Sequence, residues 1–241
     1  MIKTYKIKSK KEGNYMNINE IYELFDKIGS LTFATIDNGY PETRIAHFFA
    51  YDDEGIYLRT MTVKPFYKQL KETKRLSVCG MSVSSIVKYG DDGLPIFAPG
   101  YTMRATGDVK EIPFDELLLK ENKSDGFRMG IKDIRRYPDL RAFVFYRFKG
   151  EYYDYDYELE TRDHKIIRKS FSFGGFPLPF RGMKINEDCI GCGKCKLQCE
   201  SKKFNAISET KEGKFIIDCN KCDVCGDCTL VCPVNAIDSY K

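Results

Sequence analysis

The chain has 241 residues, 42% hydrophobic and 31% charged, enough for a buried core and a polar surface in one large domain or two smaller ones. No apolar run approaches the ~20 residues that span a bilayer, and the lysine-rich start has no apolar stretch behind it, so a cytoplasmic protein with no membrane partner is expected. The net charge of +4 is small and spread along the chain, which argues against nucleic acid as a partner, since that wants a concentrated basic stripe.

Asn17 to Ile28 reads as the first helix. Asn17 caps it, Glu20 completes a capping box, and Ile18, Ile21, Leu24, Phe25 and Ile28 form one apolar face. Translation is expected to start at Met16, because this helix needs nothing upstream and Lys11-Glu12-Gly13 can be encoded by a purine-rich run resembling a ribosome-binding site. β-rich runs follow at Leu31–Ile36, Thr43–Tyr51 and Ile56–Thr60, separated by Asp37-Asn38-Gly39 and Asp52-Asp53-Glu54-Gly55 turns. Pro65–Thr73 is a short helix with proline at its first position. Leu76–Val83 and Tyr101–Lys110 are strands on either side of a loop from Gly90 to Gly100. Phe114 to about Lys123 and Phe127–Arg136 read as helices, before Ala142–Lys149, Tyr152–Leu159 and Lys165–Phe173 return to strand. Many short strands with few helices argue for a β-barrel rather than a parallel sheet. Between Phe173 and Phe180 the composition turns to glycine and proline with the rings of Phe173, Phe176 and Phe180, a linker suited to packing on a neighbour.

Ten cysteines would suggest disulfides in a small secreted protein, but nine of them lie between Cys189 and Cys232 with no export signal, which reads as metal binding. Cys189, Cys192, Cys195 and Cys199 share one spacing with Cys222, Cys225, Cys228 and Cys232. Each run is trailed by Asn-Ala-Ile, so the region is an internal duplication. Three thiolates two residues apart wrap one corner of an iron–sulfur cube, and the fourth points away to complete the other. The spacing therefore predicts Cys189, Cys192, Cys195 and Cys232 on one [4Fe–4S] cluster, with Cys199, Cys222, Cys225 and Cys228 on the second. A zinc ribbon is the competing reading. Cys219 is read as a spare thiol and Cys79 as a buried small apolar residue. The stretch Ile185–Lys241 resembles bacterial two-cluster ferredoxins, departing where Glu200 follows Cys199 in place of proline and where three extra residues precede Asn205.

A second resemblance covers about residues 17–110. Pro41-Glu42-Thr43-Arg44-Ile45-Ala46, the acidic turn at residues 52–55, Ile56-Tyr57-Leu58-Arg59-Thr60 and Lys64-Pro65-Phe66-Tyr67-Lys68-Gln69-Leu70 are similar to the pyridoxamine 5′-phosphate oxidase-like flavoproteins. That resemblance implies an FMN-binding split β-barrel and a homodimer with FMN at its interface. Arg44, Ile45, Ala46 and His47 would lie along the flavin, with Arg44 near the phosphate. Thr60, Met61, Thr62 and Lys64 would follow at the phosphate, beside a helix start that favours an anion. His47 is the one candidate for a catalytic contact, with Tyr101 as a second wall of a substrate cavity; His164 reads as a solvated residue of a charged turn.

The expected protein is multidomain: a tail over residues 1–16, a mainly antiparallel split β-barrel over 17–175, a linker over 176–184 and an α+β ferredoxin-like two-cluster domain over 185–241. The expected cofactors are FMN and two [4Fe–4S] clusters. The expected activity is an oxidoreductase passing electrons between the clusters, the flavin and a small-molecule substrate or redox partner protein. The alternatives are a non-catalytic electron carrier or redox sensor, or a barrel holding deazaflavin or haem.

Overall fold

The computed structural model describes residues 16–83, 88–93, 95–96, 100–155, 167–178 and 182–239. The fold starts at α1 (Ile18–Ile28), where the Asn17 side chain accepts from Glu20 N and Glu20 reaches back to Asn17 N, both at 2.9 Å. Ile21 and Phe25 are fully buried on its apolar face. Met16, assigned by the sequence to the tail, is itself buried in the core beside α1.

β1 (Leu31–Asp37) and β2 (Tyr40–Ala46) form a hairpin whose two turn residues, Asn38 and Gly39, both take positive φ, as a tight right-twisted hairpin requires. The single strand expected over Thr43–Tyr51 is in fact two. β2 stops at Ala46 and β3 (Ala50–Asp52) pairs with β4 (Gly55–Met61) instead. The packing explains the break, because Phe48 and Phe49 are buried in two different cores. α2 (Pro65–Thr73), β5 (Arg75–Val83), the short β6 (Lys88–Tyr89) and β7 (Pro95–Ile96), and β8 (Gly100–Ile112) follow.

α3 (Phe114–Leu118) is shorter than expected. Its chain leaves the helix in tight turns that send Lys120 and Lys123 to the acidic Asp52–Glu54 turn, and α4 (Asp125–Arg136) then restarts on a Ser124 cap. β9 (Leu140–Tyr155) is one continuous strand where two were expected, and β10 (Ile167–Phe173) pairs with its second half. Gly150 interrupts nothing: a Cβ there would lie 2.2 Å from the Phe171 ring, so the glycine admits close packing rather than a turn. The expected strand residues 156–159 and 165–166, and His164, lie outside the described residues.

Eight of these strands make one sheet in the order β2-β1-β5-β8-β9-β4-β3, with β10 also on β9, while β6 and β7 pair with each other. β2 and β3 stand at opposite ends of that order, yet only His47–Phe49 separates them. Four Cα steps reach at most about 14 Å, so the sheet must curl until its ends meet. The result is an antiparallel split barrel. Its interior holds Phe33, Phe48, Leu58, Phe145, Phe148 and Phe171, while α3 and α4 cover a second core around Tyr57, Phe127 and Val144.

The linker packs on this barrel. Phe173 stacks on Phe148, and the Phe176 ring lies under Arg147 and Lys149. Beyond it, β11 (Met183–Ile185) pairs with the final strand, while α5 (Lys194–Ser201), the hairpin β12 (Ile207–Glu209) and β13 (Phe215–Ile217), and α6 (Asp227–Leu230) lead to β14 (Ile237–Ser239). This is a small α+β unit whose core is built largely on cysteine, with Cys195, Cys222 and Cys228 buried beside Ile207 and Phe215. Among the described residues no helix is long and apolar enough to cross a membrane.

Candidate functional site

The two cysteine runs fold alike because the same backbone devices recur. Gly193 and Gly226 cap α5 and α6 in the left-handed region, which sets Cys195 and Cys228 in the first helical turn. Asn205 and Asn235, at φ 48° and 52°, then turn the chain so that an amide meets the last sulfur of each run. Ala206 N donates to Cys199 Sγ at 3.4 Å and Ala236 N to Cys232 Sγ at 3.3 Å. Val224 takes φ 60° where the other run has Gly191 at 71°, and its N–H donates to Cys222 Sγ.

Two hollows result. Cys199, Cys222, Cys225 and Cys228 line one, with Met183, Phe204 and Ile217. Cys189, Cys192, Cys195 and Cys232 line the other, with Ile185, Phe215 and Val234. Each hollow thus takes three cysteines from one run and the fourth from its neighbour, the grouping that the spacing predicts. Burial, then the neighbouring thiols Cys222, Cys225 and Cys195, push Cys228 up to about 11. Burial likewise raises Cys195 and Cys199, the latter with Cys222 and Cys225 as its charged neighbours. Such thiols give up their protons to iron. Among the described residues no three His, Cys, Asp or Glu converge on a point suited to a single metal ion. Four cysteine sulfurs around a hollow are the donor set of an iron–sulfur cube, and equally of a tetrahedral zinc.

Cys219 belongs to neither hollow. Burial raises its thiol, and its sulfur packs where a Cβ on Gly182 would come within 3.1 Å. Cys79 corrects the sequence reading: it is exposed, because β5 turns Leu76 and Val78 inward and Cys79 outward.

In the barrel the eight expected flavin contacts lie on two stretches of chain, residues 44–47 and 60–64. Arg44 turns inward, where its Nη1 donates to Thr35 Oγ1 at 2.6 Å and Nη2 to Gln69 Oε1 at 2.8 Å, with the guanidinium 4.4 Å from the Phe66 ring centre. Burial lowers its pKa, against the opposing charge of Glu42. Ile45 turns outward and is 66% exposed, and Ala46 is half-buried against the barrel core. Thr60 is buried, while Met61 packs on the α4 side. The Thr62 hydroxyl donates to the Asp139 carboxylate, and Val63 N approaches the same group at 3.5 Å. Lys64 caps α2 with its backbone only, and its side chain is exposed. Thr35, Gln69 and Asp139 therefore already receive the Arg44 and Thr62 donors, whereas the Lys64 side chain stays exposed. His47 is exposed, with Nδ1 3.4 Å from Gly29 O, and the Tyr101 hydroxyl donates to Leu24 O.

Thr35, Gln69 and Asp139 are the site-defining residues that sequence reasoning missed. The first two were legible: each sits at an inward position of an otherwise apolar face, where a buried polar group needs a partner. Asp139 carries no such signal. The outer face of the sheet holds a groove of about 300 Å³ lined by Thr32, Ala34, Ser77, Cys79, Arg104 and Lys149.

No protein-family model matches the chain. Over 62 residues the C-terminal region is 41% identical to pyruvate synthase subunit PorD of Methanocaldococcus jannaschii, a match covering 26% of this chain and 69% of that protein. Among solved structures, the chain is similar to a NimC/NimA family protein of Clostridium acetobutylicum (17% identity, 65% of this chain and 92% of that one, TM-score 0.42). It is also similar to the FAD and haem binding protein of Mycobacterium smegmatis (13% identity, 69% and 83%, TM-score 0.45) and to a putative pyridoxamine 5′-phosphate oxidase of Listeria innocua (12% identity, 52% and 88%, TM-score 0.35).

Proposed function

Through its cysteine-rich C-terminal segment the chain belongs to the family of pyruvate synthase subunit PorD, and from that premise we propose an iron–sulfur oxidoreductase holding two [4Fe–4S] clusters and exchanging their electrons with FMN on the barrel. One observation carries the iron–sulfur half: eight cysteines divide crosswise into two four-cysteine hollows. Cys199, Cys222, Cys225 and Cys228 would hold one cluster, and Cys189, Cys192, Cys195 and Cys232 the other. When bound, such clusters supply one-electron transfer. The amides of Ala206, Val224 and Ala236 donate to three of the sulfurs, which stabilises negative charge there. Cys195 lies close enough to Cys228 to act on its charge, so the two hollows are neighbours.

The flavin half rests on the resemblance of residues 41–46 and 56–70. Arg44 and Thr62, as placed, give their donors to Thr35, Gln69 and Asp139. Lys64 is the expected ligand whose side chain is free to meet an anion. A homodimer is part of the same proposal: Ile36, Ile45 and Met81, about half or more exposed, share the outer sheet face and give a second copy an apolar surface. Its partner is a small-molecule substrate or a redox partner protein.

The test is analysis of anaerobically purified protein. About eight iron and eight acid-labile sulfide per chain are expected, with an extracted flavin carrying one phosphate. Stoichiometric zinc without sulfide overturns the cluster reading. Extracted haem, or no flavin, overturns the second half alone.

A further inference from the structure

The two hollows are not equivalent toward the barrel. Asp223, beside Cys222 and lining the Cys199 hollow, meets two barrel side chains: Arg168 of β10, with Nη2 at 3.7 Å, and Tyr153 of β9, whose hydroxyl lies 3.4 Å away. Arg168 is only 17% exposed and stacks on the Tyr153 ring at 4.9 Å. Its Nε is buried without a hydrogen bond, 3.9 Å from the Glu151 carboxylate. Glu151 in turn receives Arg104 at 3.1 Å, and Arg104 lines the groove on the outer sheet face. A line of alternating charge thus runs from that groove to the wall of one cysteine hollow. The linker ends at the same hollow, since Met183, the first residue of β11, also lines it. The other hollow is bordered by Ile190, 63% exposed, at the repeat position that Asp223 holds in the first, and each hollow has one exposed cysteine, Cys192 and Cys225.

We propose that Arg168 is a positioning residue that docks the hollow of Cys199, Cys222, Cys225 and Cys228 on the barrel, making that cysteine set the barrel-facing redox centre and the set around Cys232 the outward one. The inference rests on the iron–sulfur reading for the word redox, and on the ion pairs alone for the docking. Arg168 holds Asp223 against β9 and β10, and its charge is felt by the centre beside Asp223 more than by the distant one, because the pair is largely shielded from solvent screening.

The test is an anaerobic redox titration of the holoprotein followed by electron paramagnetic resonance, with Ile190→Lys marking the outward centre. Arg168→Gln removes a positive charge and lowers the midpoint of one centre. Asp223→Asn removes a negative charge and raises the midpoint of that same centre. Ile190→Lys raises the midpoint of the other. Arg168→Gln moving the centre that Ile190→Lys moves, or both equally, or neither, overturns the proposal. Hydrogen–deuterium exchange reads the docking with no cofactor involved. Peptides covering residues 150–155 and 219–227 lose protection in Arg168→Gln and regain it in the charge-swapped Arg168→Asp/Asp223→Arg protein. Unchanged protection overturns the docking even where no cluster is found, whereas missing iron and sulfide overturn only the redox reading.

Discussion

Arg44 separates two accounts of the barrel, and one substitution distinguishes them. As placed, its guanidinium is a structural lock: it donates to Thr35 and to Gln69, which are 4% and 3% exposed, and lies over Phe66. Hydrogen bonds involving a charged group contribute about 1.5–3 kcal/mol each, and a partly solvated cation–π contact about 0.5–1 kcal/mol. Two features reduce the sum. Arg44 is half-buried, and Thr35 still donates to Gln69 at 2.5 Å after its loss. Arg44→Ala is therefore expected to cost about 2–3 kcal/mol of barrel stability in protein stripped of flavin. Arg44→Lys is expected to recover only part of it, since an ammonium cannot reach both acceptors with one planar fork. Denaturant unfolding followed by circular dichroism gives the stability, and fluorescence titration with FMN gives the affinity. If Arg44 were instead a free phosphate ligand, its removal would leave the stripped protein within about 0.5 kcal/mol of wild type and weaken FMN roughly 10- to 150-fold. That pairing of results refutes the structural lock.

Four further outcomes are expected. Lys120→Met strips a buried ammonium from Asp52, which keeps Lys123, Tyr57 and Glu54 N as donors; the loss is about 2–3 kcal/mol, below the ~3–5 of an isolated buried pair, and calorimetry should show it as a lower melting temperature. Burial pushes Asp52 up, but the hydrogen bonds from Lys123, Lys120, Glu54 N and Tyr57 outweigh it and hold the carboxyl below 3.8. Its contribution is therefore present above pH 3.8 and lost as pH falls through the folded value, so the stability gap between wild type and Asp52→Asn narrows in acid. Cys232→Ser should damage the centre of Cys189, Cys192 and Cys195, and Cys199→Ser that of Cys222, Cys225 and Cys228; loss confined to each residue's own run, read by iron content and paramagnetic resonance, sinks the crossed grouping. Lys64→Ala should weaken FMN roughly 10- to 150-fold with no loss of stability. Unchanged affinity there would remove the phosphate from the start of α2.

What the sequence disclosed follows from how local each signal is. The α1 capping box, the Asn38-Gly39 hairpin and the proline start of α2 depend on neighbours within four residues, and all appear as read. Spacing within a run likewise says which cysteines share a side, and the same sets of four line the two hollows. β9 was misread because Gly150 looks like a strand break until Phe171, 21 residues on, occupies its missing side chain. The Thr43–Tyr51 strand failed at Phe48 and Phe49, where adjacent rings serve two cores that only the closed barrel creates. Arg44 and Thr62 were assigned to a ligand by resemblance, and strand parity alone could not say that Thr35, Gln69 and Asp139 would reach them first. Cys79 was a parity error of one residue, which in a strand reverses inside and outside.

The duplication itself has diverged in a direction that matches its setting. After Cys232 the chain takes Pro233 and returns at once to Asn235, whereas Glu200 follows Cys199 and three extra residues precede Asn205. The extra residues lengthen α5 to eight residues against four in α6 and bend through Lys203 at φ 61°. They do not hang in solvent: Lys202 and Phe204 line the hollow beside Asp223, and Lys202 pairs with Asp227 at 3.5 Å. At the corresponding place the other hollow has only Val234, 38% exposed. Burial, local charge and sulfur hydrogen bonds set the potential of an iron–sulfur centre. The hollow that meets the barrel carries a cation, Lys202, and two acids, Asp223 and Asp227, in its wall, while the described residues lining the other include no Lys, Arg, Asp or Glu; each hollow has one phenylalanine and one exposed cysteine. Two copies of one unit thus acquire unequal surroundings, the difference that the redox titration of Arg168→Gln and Ile190→Lys reads.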